Sequence, residues 1–428
     1  MYSLFKRNYD YGYCLCAEAT RNHLFYRPRC LLKVYKQLCF SGILMVMTKP
    51  VRAHTLDELR KRKSSKWRQY PSDVLPLPVA EMDFPTAPAV KAALQDMLDR
   101  SDTGYLGAFP ELFDAFAKFS KSRWSWQPDV TQIRMATDVG VGIVEVMRTL
   151  IKAGDKVMLN SPVYENIWRW ITEVNATLVD VPLTENDLNY KLDLDAIERE
   201  YAKGVKVHIL CHPHNPVGII YTRSELETIA TLAKKYGVIV ISDEIHGPLA
   251  FNAKEFLPFL SVSDDAKEVG IIVTSASKSF NFAGLKCALI ITESVKLKEK
   301  INTMPPAVTW RASLFGAVAS TAAYSDSEEW LDGVLMTLDE NRNIVKKLID
   351  TKTPTIKYRI PDFGYLAWLD VSALGLGSDP AAQILERAKL ALNAGVLYGP
   401  KHSNFVRFNF GTSEEIINQA FDRLIKVL

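Results

Sequence analysis

The feature that most restricts the fold of this chain is an alternation, beyond Gly140, of short β-rich runs with amphipathic stretches of helical period. Lys156–Asn160, Thr177–Val181, Val205–Cys211, Val238–Ser242, Gly270–Ser275 and Cys287–Thr292 read as strands. Between them Leu194–Tyr201 and Glu225–Tyr236 read as helices, the second opened by a cap at Thr222 or Ser224 and closed at Gly237. Strand–helix–strand repetition builds a mostly parallel sheet whose right-handed crossovers cover both faces. The expected fold class is therefore α/β.

On either side the pattern changes. Helical spacing runs from Pro88 to Arg100 and from Glu111 to Phe119, and returns at Leu314–Tyr324 and Glu328–Leu348. The chain then mixes a strand-like Tyr365–Val371, a helix over Ala381–Ala394 and a strand-like Phe405–Phe410. Pro305-Pro306 would interrupt a continuing helix, which places a boundary near Met304–Pro306. The expected organisation is a large domain over 88–304 and a smaller α+β domain over 305–428, joined by 45–87.

Residues 1–44 differ in character from the rest of the chain. They hold Cys14, Cys16, Cys30 and Cys39, four of the six cysteines, and few acidic residues. The apolar run Leu38–Met47 is about ten residues, where a membrane span needs roughly 20, and it lacks a small-residue cleavage site. The expectation is that translation starts at Met45 or Met47 and that this leader is not part of the fold.

Charge narrows the partners: 52 basic against 49 acidic residues leave +3, which provides no footprint for nucleic acid. No membrane partner is expected either. Cys211 and Cys287 make no disulfide framework, consistent with a reducing cytoplasm.

Open parallel sheets bind ligands beyond the carboxyl ends of their strands. Four such places carry unusual polar residues. One strand runs into Asp243-Glu244-Ile245-His246, where Asp243 alone could be a turn cap. The next runs into Ser275-Ala276-Ser277-Lys278, where an isolated lysine would ordinarily be solvated. Asp243 and Lys278 are 35 residues apart, room for one crossover, so acid and amine would face one crevice. His212-Pro213-His214-Asn215-Pro216-Val217-Gly218 reads as a turn, and Thr137-Asp138-Val139-Gly140-Val141-Gly142 precedes a helix whose amides could hold a phosphate. Neither a full dinucleotide fingerprint nor a phosphate-loop Gly-Lys-Ser/Thr is present. No metal is expected.

Together Ser-x-Ser-Lys278, Asp-Glu-Ile-His and His-Asn-Pro-Val-Gly resemble the fold-type I pyridoxal-phosphate enzymes, the aspartate aminotransferase superfamily, from about Leu77 to the C-terminus. Val79-Ala80-Glu81-Met82-Asp83-Phe84-Pro85 and Lys278-Ser-Phe-Asn-Phe-Ala-Gly-Leu285 are most similar to the branch of cystathionine β-lyase-type C–S lyases that includes the maltose-regulon modulator. The resemblance implies a large domain with a mostly parallel sheet between helices and a smaller α+β domain. It implies pyridoxal 5'-phosphate carried on Lys278, which also removes the α-proton of an amino-acid substrate. Asp243, with His246 beside it, would hold the ring nitrogen protonated, Asn215 would donate to the ring's phenolic oxygen, and Tyr164 would stack on the ring. The phosphate would lie on the amides of Val141 and Gly142 and the hydroxyls of Ser275 and Ser277. Tyr105 of a neighbouring subunit would reach it too, which implies a homodimer with shared sites. Arg407 in Asn404-Phe-Val-Arg-Phe-Asn-Phe410 would grip the substrate α-carboxylate.

Four departures from the pattern stand out. Lys286 replaces a frequent arginine and supplies charge without the fork, Glu81 replaces a common aspartate, Asp138 replaces a usual proline, and the approach to Arg407 is shortened to Gly399-Pro400-Lys401-His402-Ser403. The expected activity is C–S β-elimination giving pyruvate, ammonia and a thiol. An aminotransferase uses the same residues and differs only in how one intermediate partitions. A non-catalytic regulator on the same fold is the third possibility, against which the intact Lys278, Asp243, Asn215 and Arg407 argue.

Overall fold

The computed structural model describes residues 48–427. The leader and the candidate starts at Met45 and Met47 lie outside the described residues. From Lys49 onward the chain forms one compact unit.

Its centre is a seven-stranded sheet of β1 (Ile133–Ala136), β2 (Lys156–Leu159), β3 (Thr177–Asp180), β4 (Val205–Cys211), β5 (Ile239–Asp243), β6 (Gly270–Thr274) and β7 (Ala288–Ile291), in the order β1-β7-β6-β5-β4-β2-β3. β7 runs antiparallel to both its neighbours, and the remaining pairs are parallel. All of β6 and all of β5 after Ile239 are buried, as a sheet covered on both faces requires. The order reverses between β2 and β4, where an open α/β sheet offers its ligand crevice.

The flanking helices are α1 (Pro88–Asp99), α2 (Pro110–Trp124), α3 (Val139–Leu150), α4 (Glu165–Glu173), α5 (Leu194–Ala202), α6 (Arg223–Tyr236), α7 (Leu314–Asp326) and α8 (Glu328–Lys352). α6 shows how local sequence sets its bounds. Thr222 and Glu225 exchange hydrogen bonds in a capping box, and Gly237 closes the helix at φ +69°. Two of the elements that escape the sequence reading show why. β1 is four residues with Arg134 inside it, too short to show a period, and α4 buries only Ile167 and Ile171 on one side.

A second sheet, order β8-β9-β11-β10, consists of β8 (Lys357–Tyr358), β9 (Leu366–Asp370), β10 (Asn393–Ala394) and β11 (Phe405–Asn409). Helices α9 (Pro380–Ala388) and α10 (Glu414–Leu424) accompany it. The helix expected over Ala381–Ala394 stops at Ala388 instead, because Lys389 turns left-handed at φ +52°. Leu390–Ala391 then pairs in parallel with Leu75–Pro76, and Asn393–Ala394 joins the sheet. Helix-compatible residues are recruited here by strand partners distant in sequence, a tertiary override of propensity.

The segment after Lys49 also packs on α8. The Val51 N–H donates to Gly333 O at 2.9 Å, and a Cβ on Gly333 would lie 2.4 Å from Lys49 O, so this crossing demands glycine. No helix among the described residues is long and apolar enough to cross a membrane.

Candidate active site

A cavity of about 670 Å³ opens beyond the carboxyl ends of β4, β5 and β6, with β11 facing them. Strand register places its groups. Asp243, the last residue of β5, pairs with Cys211 of β4 and Val273 of β6, so the turn after β6 delivers Lys278 to the same crevice.

Asp243 is buried and accepts one weak hydrogen bond, from Ile245 N–H at 3.3 Å. Burial pushes its carboxyl up to about 7, against the pull of that bond and of the Lys278 charge. Burial first, and the Arg407 guanidinium second, bring the Lys278 amine down to about 8. Both groups therefore titrate near neutrality, and Lys278 sheds its proton far more readily than an ordinary lysine. Its Nζ donates to Ala80 O at 2.8 Å. The two partners meet through space, with no hydrogen bond between them.

Arg407 sits mid-strand on β11, opposite Trp368 of β9 and Asn393 of β10, which fixes its backbone on both sides. The side chain is buried, donates to Asn215 Oδ1 at 3.1 Å and to Pro78 O at 2.9 Å, and stacks 5.1 Å from the Tyr398 ring centre. Its Nε has no partner. His246 lies against Phe363 and Tyr365, with Nδ1 likewise buried and unpaired, and burial brings it down to about 3, so it is neutral. Tyr164 caps the start of α4 and lines the cavity, its hydroxyl accepting from the Asn166 side chain. Unpaired buried polar atoms beside a cavity are the mark of a site shaped for a polar ligand.

The phosphate-side expectations fare differently. Val141 N–H donates to the Asp138 carboxylate at 2.9 Å, and Gly142 N–H donates to Asp138 O at 2.9 Å. Both amides expected at the phosphate are thus engaged within α3. The open amides of that helix are the first-turn pair, Val139 and Gly140. Asp138 explains the engagement of Val141, since aspartate caps a helix where proline would not. Its second oxygen accepts from Lys286 Nζ at 2.9 Å, and both residues line the cavity. Ser277 also lines it, whereas Ser275 is spent on the turn, donating to Cys287 O at 2.6 Å and accepting from Ser277 N–H at 3.1 Å. Tyr105 is fully exposed and does not line the cavity of its own chain.

The sequence reading misses the residues that hold the strap Pro78–Phe84 over the cavity. Besides Pro78 O and Ala80 O, Val79 O and Glu81 O accept from Asn409 Nδ2 at 2.7 and 2.8 Å, and Phe84 O accepts from Arg62 at 3.0 Å. Asn281, three residues after Lys278, exchanges two bonds with the Met82 backbone at 2.7 and 2.8 Å. Beneath lies a fully buried ion pair, Lys66 to Asp83 at 2.8 Å, with Trp67 Nε1 donating to the same carboxylate at 3.0 Å. The only signal in the sequence is Asp83 standing polar between Met82 and Phe84. Its partner, 17 residues upstream, carries none.

The sequence profile of the family described as "Aminotransferase class I and II" matches residues 72–424. A Mycobacterium tuberculosis protein provisionally named a cystathionine beta-lyase is 37% identical over 406 residues, covering 89% of this chain and 98% of that protein. Cystathionine beta-lyase PatB of Bacillus subtilis is 31% identical, covering 82% and 92% of the two chains. Among solved structures, cystalysin from Treponema denticola, which contains a pyridoxal 5'-phosphate cofactor, superposes with a TM-score of 0.84 at 27% identity, covering 89% and 99%. The chain belongs to the class I and II aminotransferase family.

Proposed function

We propose that this protein is a pyridoxal-phosphate-dependent C–S β-lyase acting on an amino acid such as L-cystathionine. The observation that carries the reading is the convergence of Lys278, Asp243 and Arg407 on one cavity. The relatives named for cystathionine cleavage, which share most of their length with this chain, point to elimination rather than amino transfer.

The residues fit the cofactor. Asp243 offers a buried carboxylate to a ring nitrogen, Arg407 Nε and His246 Nδ1 are buried without partners, and the first turn of α3 presents two open amides to a phosphate. When bound, pyridoxal phosphate supplies a ring that accepts the electron pair released at the substrate α-carbon. Lys278 would hold the cofactor, and its amine would be the base that takes the proton from the substrate α-carbon, with the thiolate leaving from the β-carbon. A lysine that titrates at about 8 is suited to both tasks near neutral pH. Asp243 would pair with the ring nitrogen, Asn215 would donate to the phenolic oxygen through its amide while its Oδ1 accepts from Arg407, and Tyr164 would pack on the ring face. Arg407 clamps the α-carboxylate and so sets which α-bond breaks. Val139, Gly140, Ser277 and Lys286 would receive the phosphate. Ser275 supports that loop through its bonds to Cys287 and Ser277.

The same reading takes 88–304 as the cofactor-holding domain and 305–428, joined by 45–87, as the smaller one. The pairing of Leu75–Pro76 with Leu390–Ala391 supports that join. It also takes the enzyme as a cytoplasmic homodimer in which Tyr105 of each chain reaches the other's phosphate, a role its full exposure in the single chain allows. The test is to follow pyruvate and ammonia from L-cystathionine with the cofactor-loaded protein and no 2-oxo acid. Sustained release of both over many turnovers is expected. Amino transfer that appears only when a 2-oxo acid is added would overturn the lyase reading.

A further inference from the structure

The cavity holds one carboxylate for which the chemistry above has no use. Glu165 opens α4 directly after Tyr164 and lines the cavity. Its Oε2 is sealed from solvent and has no hydrogen-bond partner. Its charge bears on Lys278, Tyr164 and Tyr398, which places it within electrostatic reach of the reacting centre and of the ring beneath Arg407.

The other cavity-lining acids are occupied. Asp138 takes Lys286, while Glu145 and Glu173 share Arg148. Asp243 is assigned to the cofactor. Glu165 is in no ion pair among the described residues. A carboxylate oxygen deprived of water and of a donor is costly to keep, and the cost is offset when a cation arrives to pair with it. The lining cations are spoken for as well: Lys278 by the cofactor, Arg407 by the α-carboxylate and Lys286 by Asp138 and the phosphate. The cavity therefore has a spare negative group and no spare positive one.

We infer that Glu165 is a specificity-determining residue that pairs with an ammonium group on the sulfur-bound part of the substrate. The inference rests on the lyase reading and narrows it. The preferred substrates are amino acids whose leaving thiol carries a primary ammonium, as cystathionine does, over neutral S-alkyl cysteines.

The test uses the cofactor-loaded enzyme and two ligands that contain no C–S bond. L,L-2,7-diaminosuberate is the cystathionine isostere with methylene in place of sulfur, and L-2-aminosuberate is the same chain without the distal ammonium. Binding is read from the absorbance of the bound cofactor in wild type and in Glu165→Gln, an isosteric change whose cofactor spectrum also reports an intact fold. Wild type is expected to prefer the diamino ligand by about tenfold, the scale of one charge-assisted hydrogen bond. In Glu165→Gln that preference is expected to fall to about twofold or less. Equal binding of both ligands by wild type, or a preference that survives the substitution, would overturn the inference. Pyruvate release from S-methyl-L-cysteine and L-cystathionine by wild type is measured beside it. Its absence from both would sink the lyase reading, while the ligand preference would still decide the role of Glu165.

Discussion

At the scale of single residues, the site works by placing ionisable groups where water cannot hold their usual charge. Lys278 titrates at about 8 rather than 10.5 because burial and Arg407 disfavour its ammonium form. Its neutral amine therefore grows as pH rises through about 8. The rate at which the cofactor-free protein takes up pyridoxal phosphate is expected to rise with that midpoint, followed by absorbance. A midpoint near 10 would show the amine to be unperturbed. Asp243 has the opposite sign, with a carboxyl raised from 3.8 to about 7. A group raised on folding contributes its stability at low pH and loses it as pH passes the folded value. Asp243→Asn is thus expected to stabilise the cofactor-free protein at pH above about 7, by on the order of 1 kcal/mol or more in urea unfolding, while lowering activity about a hundredfold or more. A variant less stable than wild type at pH 8 would contradict this. Arg407→Lys keeps the charge and loses the fork that spans Asn215 and Pro78. kcat/KM is expected to fall about 10- to 100-fold, and unchanged kinetics would remove Arg407 from substrate binding.

At the scale of elements, the strap Pro78–Phe84 depends on the buried Lys66–Asp83 pair. Lys66→Met leaves the buried Asp83 carboxylate with only the more distant Arg62 guanidinium, 3.9 Å away, and is expected to cost about 3 kcal/mol, whereas Lys66→Met with Asp83→Leu is expected to recover most of it. A single variant as stable as wild type in urea would show that the pair does not support the strap. Here the sequence is readable only in part. The apolar runs of β4, β5 and β6 and the capping box of α6 declare themselves within a few residues, and they are what bring Asp243 and Lys278 together. Asn281 and Asn409 hold the strap from residues that are remote in the chain from it. The chain after Lys389 becomes strand because of Leu75, again a distant partner. At the phosphate turn Asp138 is visible in the sequence as a departure, yet its capping of Val141 shows only once α3 is seen to begin at Val139.

At the scale of the whole molecule, one seven-stranded sheet carries Lys278 and Asp243 and a separate four-stranded sheet carries Arg407, so the cavity exists only where the two are held together. The proposed dimer extends that logic to a second chain. If Tyr105 acts across the interface, inactive Tyr105→Ala and inactive Lys278→Ala proteins are expected to recover about a quarter of wild-type activity when subunits are exchanged, because half the dimers are mixed and each has one complete site. No recovery on exchange would place Tyr105 outside the partner's site. The proposed chemistry depends at every step on Lys278 being the residue that carries the cofactor. Borohydride reduction of the loaded protein, followed by peptide mass spectrometry, tests this most directly. The pyridoxyl phosphate is expected on the peptide containing Lys278 and absent from the Lys278→Ala protein, and its recovery on any other lysine would contradict the assignment.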